Sequence, residues 1–131
     1  MNVSWEVMPG RGFEGCQLRV SRAELRATLG PPDASFNRVH GGPLIDDYQR
    51  LGAQVSYDDD DLSCFVEVAS PAAPTIAGVV LIGRPARAVY EDLRSRGIEV
   101  VEDDAGASLP RWGVGLFVVD SEIEAVSVGD G

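Results

Sequence analysis

Two cysteines and one histidine are all that the 131 residues contain of the commonest soft metal ligands. Cys16 and Cys64 are too few for a disulfide framework and have no CxxC spacing, which excludes a stapled scaffold and gives no local support to a zinc or dithiol centre. Both are expected to be reduced, with Cys64 turned inward by the alternation around it. His40, in RVHGG, has no partner in an HxxxH or HExxH pattern. GxSxG, GxGxxG and GxxxxGKS/T are also absent, so hydrolase and nucleotide-binding chemistry find no local motif. No catalytic residue, cofactor or metal ligand is assigned, and the chain is expected not to be an enzyme.

No apolar run approaches the ~20 residues that cross a bilayer. The opening MNVSWEVMPG lacks the basic and apolar segments of a secretory signal, which makes the cytoplasm the expected compartment. Positive charge is scarce: 11 basic residues stand against 21 acidic ones, a net charge of −10. Such a surface repels phosphates, so nucleic acid and anionic membranes are poor partners and a basic protein is a better one.

What is present is a globular composition, 44% hydrophobic and 24% charged, in a length that suits a single domain over 1–131. SRAE at 21–24 offers a capping box, with Val20 and Leu25 as its hydrophobic staple. Leu25 and Leu29 continue the stripe, and Gly30-Pro31-Pro32 end a helix predicted over 21–29. The next segment, PPDASFNRVHGGPLI at 31–45, has no periodicity and reads as a long loop, a candidate binding surface, followed by a short helical turn over 46–51.

YDDDDLSC at 57–64 lies between alternating runs, with Val55 and Tyr57 before it and Leu62, Cys64, Val66 and Val68 after it. The pattern predicts a hairpin turned at Asp58, Asp59, Asp60 and Asp61. An EF-hand counted from Asp58 would need Gly and Glu where Ser63 and Ala69 stand. The four carboxylates are therefore expected to form a solvated turn, in which replacing any two by asparagine leaves the fold intact.

IAGVVLI suggests a buried strand over 76–82, and Pro85 opens a helix over 84–96 whose stripe is Ala86, Val89, Tyr90 and Leu93 and whose stop is Gly97. A strand at 98–101, a loop at 103–110 and a hairpin pairing 112–119 with 123–128 complete the chain. The order strand, helix, hairpin thus occurs twice, suggesting half-repeats over 1–70 and 75–131 that share a core, with 15–18 matching 78–81 and Leu62 matching Ile123. The expected class is α+β: a mainly antiparallel, twisted sheet of about six to eight strands with two helices packed on one face through Leu25, Leu29, Val89 and Leu93.

The helix ending in LGPPD at 29–33, followed by a pair of strands, resembles the repeat of small bacterial modules of the beta-lactamase-inhibitor-protein and outer-membrane-assembly-lipoprotein type. In size, acidity and strand-rich design the chain is also similar to small actinobacterial and toxin-immunity proteins. The resemblance implies helices before an antiparallel sheet and action by binding other proteins.

The expected function is that of a non-catalytic protein-binding module, an immunity-like inhibitor whose acidic surface meets a basic partner. Its candidate contact residues are Asp58, Asp59, Asp60, Asp61, His40, Asp46 and Asp47. The rival reading is a small-molecule-binding or enzymatic domain with a pocket at the 31–47 loop, using His40 and nearby carboxylates.

Overall fold

The computed structural model describes residues 3–37 and 39–129. The chain begins with a small antiparallel sheet of β1 (Val7–Met8), β2 (Gly12–Phe13) and β3 (Cys16–Gln17). Helix α1 (Arg22–Leu29) is followed by β4 (Ala34–Asn37), β5 (Leu44–Tyr48), β6 (Ala53–Tyr57) and β7 (Ser63–Ala69). After a two-stranded hairpin, β8 (Thr75–Ile76) and β9 (Val79–Val80), helix α2 (Ala86–Ser95) leads into β10 (Val101–Glu102), β11 (Gly106–Leu109), β12 (Val114–Val119) and β13 (Glu122–Gly129). The two four-stranded meanders join edge to edge through β7 and β13 into one eight-stranded sheet, ordered β10-β11-β12-β13-β7-β6-β5-β4 and antiparallel throughout. The chain is thus α+β, with a mainly antiparallel sheet and two helices.

Both helices start on a hairpin turn. Ser21 Oγ accepts from the Glu24 backbone at 3.2 Å, half of the expected capping box. The Arg22 N–H donates to the Asp61 carbonyl at 3.1 Å, in the β6–β7 turn. Pro85 offers no side-chain cap to α2, and the Ala86 N–H instead donates to the Ser121 carbonyl at 2.8 Å, in the β12–β13 turn. One orphan donor of each helix start is thereby met by a turn that the sheet holds in place. At the other end of α1, Arg50 Nη2 donates to the Leu29 carbonyl at 2.7 Å and so satisfies a C-terminal acceptor.

Leu25, Leu29, Val89 and Leu93 are buried against one sheet face, in a single core that includes Val55, Val66, Val68, Val126 and Val128 and extends to Trp5 and Phe13 beneath the small sheet. Trp5 meets Phe13 edge-on at 5.5 Å between ring centroids.

Several elements differ from the sequence expectation. The segment 31–45 is not a loop: it contains β4 and the start of β5, and 46–51 continues β5 into a turn instead of forming a helical one. Every residue of β4 is exposed, so no apolar alternation marks the strand, and pairing with β5 defines it. The 76–82 strand is split by a two-residue turn at Ala77 and Gly78, whose φ values of 48° and 82° suit a tight hairpin. The 103–110 loop contains β11, and 98–101 holds only the first residue of β10. Cys64 is half-buried instead of inward, because a bulge opposite Ser56 and Tyr57 shifts the register at that point.

Candidate functional site

The two faces of the large sheet differ in chemistry, and β5 shows why. Its sequence LIDDY alternates, so Asp46 and Tyr48 face the helices while Ile45 and Asp47 face away.

Asp46 is fully buried, 0% exposed, whereas its partner Arg26 on α1 is 37% exposed. Arg26 Nε and Nη2 donate to the two carboxylate oxygens at 2.8 Å each, and Ser35 Oγ on β4 donates to Oδ1 at 2.6 Å. Burial pushes the Asp46 carboxyl up, but the hydrogen bonds from Arg26 and Ser35 and the Arg26 charge outweigh it, so its pKa is lowered. The same hydrogen bond raises that of Arg26.

Tyr48 and Tyr57 lie beside this pair with buried hydroxyls that complete no hydrogen bond with a described residue; Tyr57 Oη is near the carboxylate but off hydrogen-bond geometry. Burial, then the Asp46 charge, pushes the Tyr48 phenol up to about 12 and that of Tyr57 higher still. Burial also pushes the Cys16 thiol up to about 12, which removes it from thiolate chemistry near neutral pH. This cluster fastens α1 and β4 to β5.

The opposite face carries no residue of the core cluster. Across its middle, register places Asp47, Gln54, Glu67, Ser127, Gly115 and Ser108 side by side on six consecutive strands. One flanking row holds Phe36, Ile45, Ser56 and Phe65; the other holds Ala69, Ala125 and Phe117. Among the described residues, six large apolar side chains are exposed, and four of them, Phe36, Val101, Phe117 and Val119, stand on this face, Phe117 at 49%. The open face thus combines a polar row with exposed apolar side chains at its borders.

The expected contact residues are dispersed. Asp58, Asp59, Asp60 and Asp61 do form the β6–β7 turn, but they are not equivalent. Asp58 Oδ1 accepts from the backbones of Asp60 at 2.9 Å and Leu62 at 3.0 Å, and Asp61 pairs with Arg22 at 3.0 Å. Among the described residues no group of three or more candidate ligands could hold a metal ion. His40 is exposed in the β4–β5 connection, at the same end of the sheet as the acidic turn. Asp46 is withdrawn into the core, so its carboxylate cannot touch a partner, and only Asp47 of the pair reaches the open face. Gln54 and Glu67 were not among the expected contacts, although their alternation with Val55 and Val66 is visible in the sequence.

A cleft of about 520 Å³ lies between the small sheet and the β7–β13 seam, lined by Leu18, Cys64, Trp112 and Val128 with Gly10 and Gly129, and with no residue of 31–47. A second, of about 400 Å³, runs between α2 and the start of β11, past Arg87, Tyr90 and Asp104. The chain matches no protein-family model, no curated protein and no solved structure.

Proposed function

We propose that the chain is a non-catalytic protein-binding module which presents the open face of its large sheet to a basic partner, as an immunity-like inhibitor in the cytoplasm would. The observation that carries this reading is the composition of that face. Exposed Phe36, Phe117, Val101 and Val119 surround a polar row whose charged members, Asp47 and Glu67, are both acidic. Apolar area supplies affinity once water is excluded, and the carboxylates supply steering and choice of partner.

We further propose that the sheet is a pseudo-duplicate, with halves over 1–70 and 75–131. Two parallels support it. Ser21, before α1, bridges to Leu62, and Pro85, before α2, bridges to Glu122, each just after a hairpin turn. The last hairpin of each meander also has its register shift near that turn, at Ser56/Tyr57 and at Phe117/Val118.

The test of the binding reading is capture from the source organism with wild-type protein and with Phe117→Asp, at low and high salt. The reading predicts a protein that wild type retains, that high salt weakens and that Phe117→Asp loses. A partner held equally by both proteins, or one indifferent to salt, would overturn it.

The 520 Å³ cleft favours a second reading, a small-molecule site walled by Trp112 and Leu18, since its volume lies within the usual ligand range of roughly 300–1,000 Å³. Quenching of Trp112 by an apolar ligand, lost in Gly10→Leu, would move the assignment there.

A further inference from the structure

All 11 basic residues of this chain are arginines, and five of them, Arg22, Arg26, Arg50, Arg84 and Arg94, are paired with a carboxylate. Arg11, Arg19 and Arg111 form neither an ion pair nor a side-chain hydrogen bond with a described residue, and all three belong to one place. Arg19 lines the cleft of about 520 Å³ between the small sheet and the β7–β13 seam. Arg11 stands between two glycines that line it, Gly10 and Gly12, and Arg111 directly precedes its Trp112.

Arg19 is held with a left-handed backbone, φ 64°, by the bond of its N–H to the Ser63 carbonyl at 2.7 Å. Glycine would keep that bond at less strain, so what arginine adds there is its side chain at the cleft. The walls behind it are apolar, with Val128 buried and Leu18 and Trp112 half-buried against the core. Over Gly10 and Gly113 the cleft stays open, since a Cβ at either position would meet no atom within 4 Å. Asp58, the one acidic lining residue, turns Oδ1 to the backbones of Asp60 and Leu62.

An apolar chain gains by leaving water against Trp112 and Leu18, and a carboxylate at its end matches the planar fork of a guanidinium. An uncharged ligand would leave Arg19 unused, and an ammonium would meet it as a like charge. The net charge of −10 acts in the opposite sense and favours cations over the molecule as a whole, so preference for an anion would be a property of this cleft.

We propose that the cleft binds a small apolar monocarboxylate, its chain against Trp112 and Leu18 and its carboxylate on Arg19, with Arg11 and Arg111 adding positive charge nearby. This rests on the small-molecule reading of the cleft, names the class of ligand, and does not depend on the protein-binding reading of the open face.

The experiment is an NMR titration of the isotope-labelled protein with octanoate, octan-1-ol and octylammonium, which share one chain and differ in headgroup charge. Saturable shifts of the Trp112 indole N–H and of the Gly10, Gly113 and Gly129 amides are expected with octanoate, at an affinity about tenfold above that of octanol. Octylammonium should bind no better than octanol. Arg19→Gln, its fold checked by a melting curve, should bring octanoate down toward octanol and leave octanol unchanged. Equal affinity of octanol for the wild type, preference for octylammonium, or an octanoate preference that survives Arg19→Gln would each overturn the assigned charge while the small-molecule reading stands. No saturable shift at Trp112 with any of the three would overturn both.

Discussion

At the scale of single residues, the Arg26–Asp46 pair is asymmetric, and its two halves should respond differently to mutation. Asp46→Asn leaves Arg26 free to rehydrate, since Arg26 is already 37% exposed, and should cost ~2–3 kcal/mol. Arg26→Ala strands a carboxylate with 0% exposure and should cost more, ~3–5 kcal/mol. The pH dependence follows from the lowered pKa. Asp46 ionises below the ordinary value of 3.8 in the folded state, so the pair's contribution is full above 3.8 and is lost as pH falls through the lower folded value. The deficit of Arg26→Ala relative to wild type should therefore be large near neutral pH and shrink in acid, a trend that denaturant midpoints across pH will show. The acidic turn offers a second test. Asp59→Asn/Asp60→Asn should lie within about 0.5 kcal/mol of wild type, while Asp58→Ala, which removes the acceptor for the Asp60 and Leu62 backbones, should lose ~1 kcal/mol. Equal effects in a thermal melt would mean that the Asp58 cap contributes nothing.

At the scale of elements, the helices are held by different means. α1 is short and depends on its ends: Ser21 caps the start and Arg50 the finish. Ser21→Ala should cost ~1 kcal/mol. α2 has no side-chain cap and depends instead on its buried stripe, with Val89 and Leu93 at 0% exposure. Leu93→Ala should cost ~2–5 kcal/mol through lost burial and the cavity it leaves. Calorimetry on the two variants checks the ranking; a Ser21→Ala effect as large as that of Leu93→Ala would show that capping, not packing, dominates. The edge strand β4 is the element least supported by apolar burial, and it is tied to the fold by Ser35 meeting Asp46 and Arg26.

At the scale of the whole molecule, the β7–β13 ladder and the shared core make the two meanders depend on each other. Neither could bury its sheet face against its own helix and keep the other half's valines dry. Unfolding is therefore expected to be one cooperative transition. Trp5 lies in the first half and Trp112 in the second, so the single-tryptophan variants Trp5→Phe and Trp112→Phe report on each separately. Coincident urea midpoints, once corrected for each variant's own stability measured by circular dichroism, are the expected result; separated midpoints would show two folding units.

The sequence by itself determined the class of fold, both helices with their buried leucines and valine, and the hairpins turned at 58–61 and within 120–122, although Glu122 already belongs to β13. These are local matters: capping boxes, glycine stops, 3.6-residue stripes and strict alternation are written in neighbouring residues. Only the tertiary structure decided that 34–37 is a strand, because its four residues bury nothing and owe their conformation to β5. The same holds for Asp46 and Asp47, adjacent in the chain and alike in chemistry. Strand geometry sends one into the core and the other to the open face, and the arginine that makes the first tolerable lies twenty positions away on a helix. The polar row has the same origin. Its members are spread from Asp47 to Ser127, and the pairing of six strands brings them into line, a long-range outcome that no window of the sequence contains.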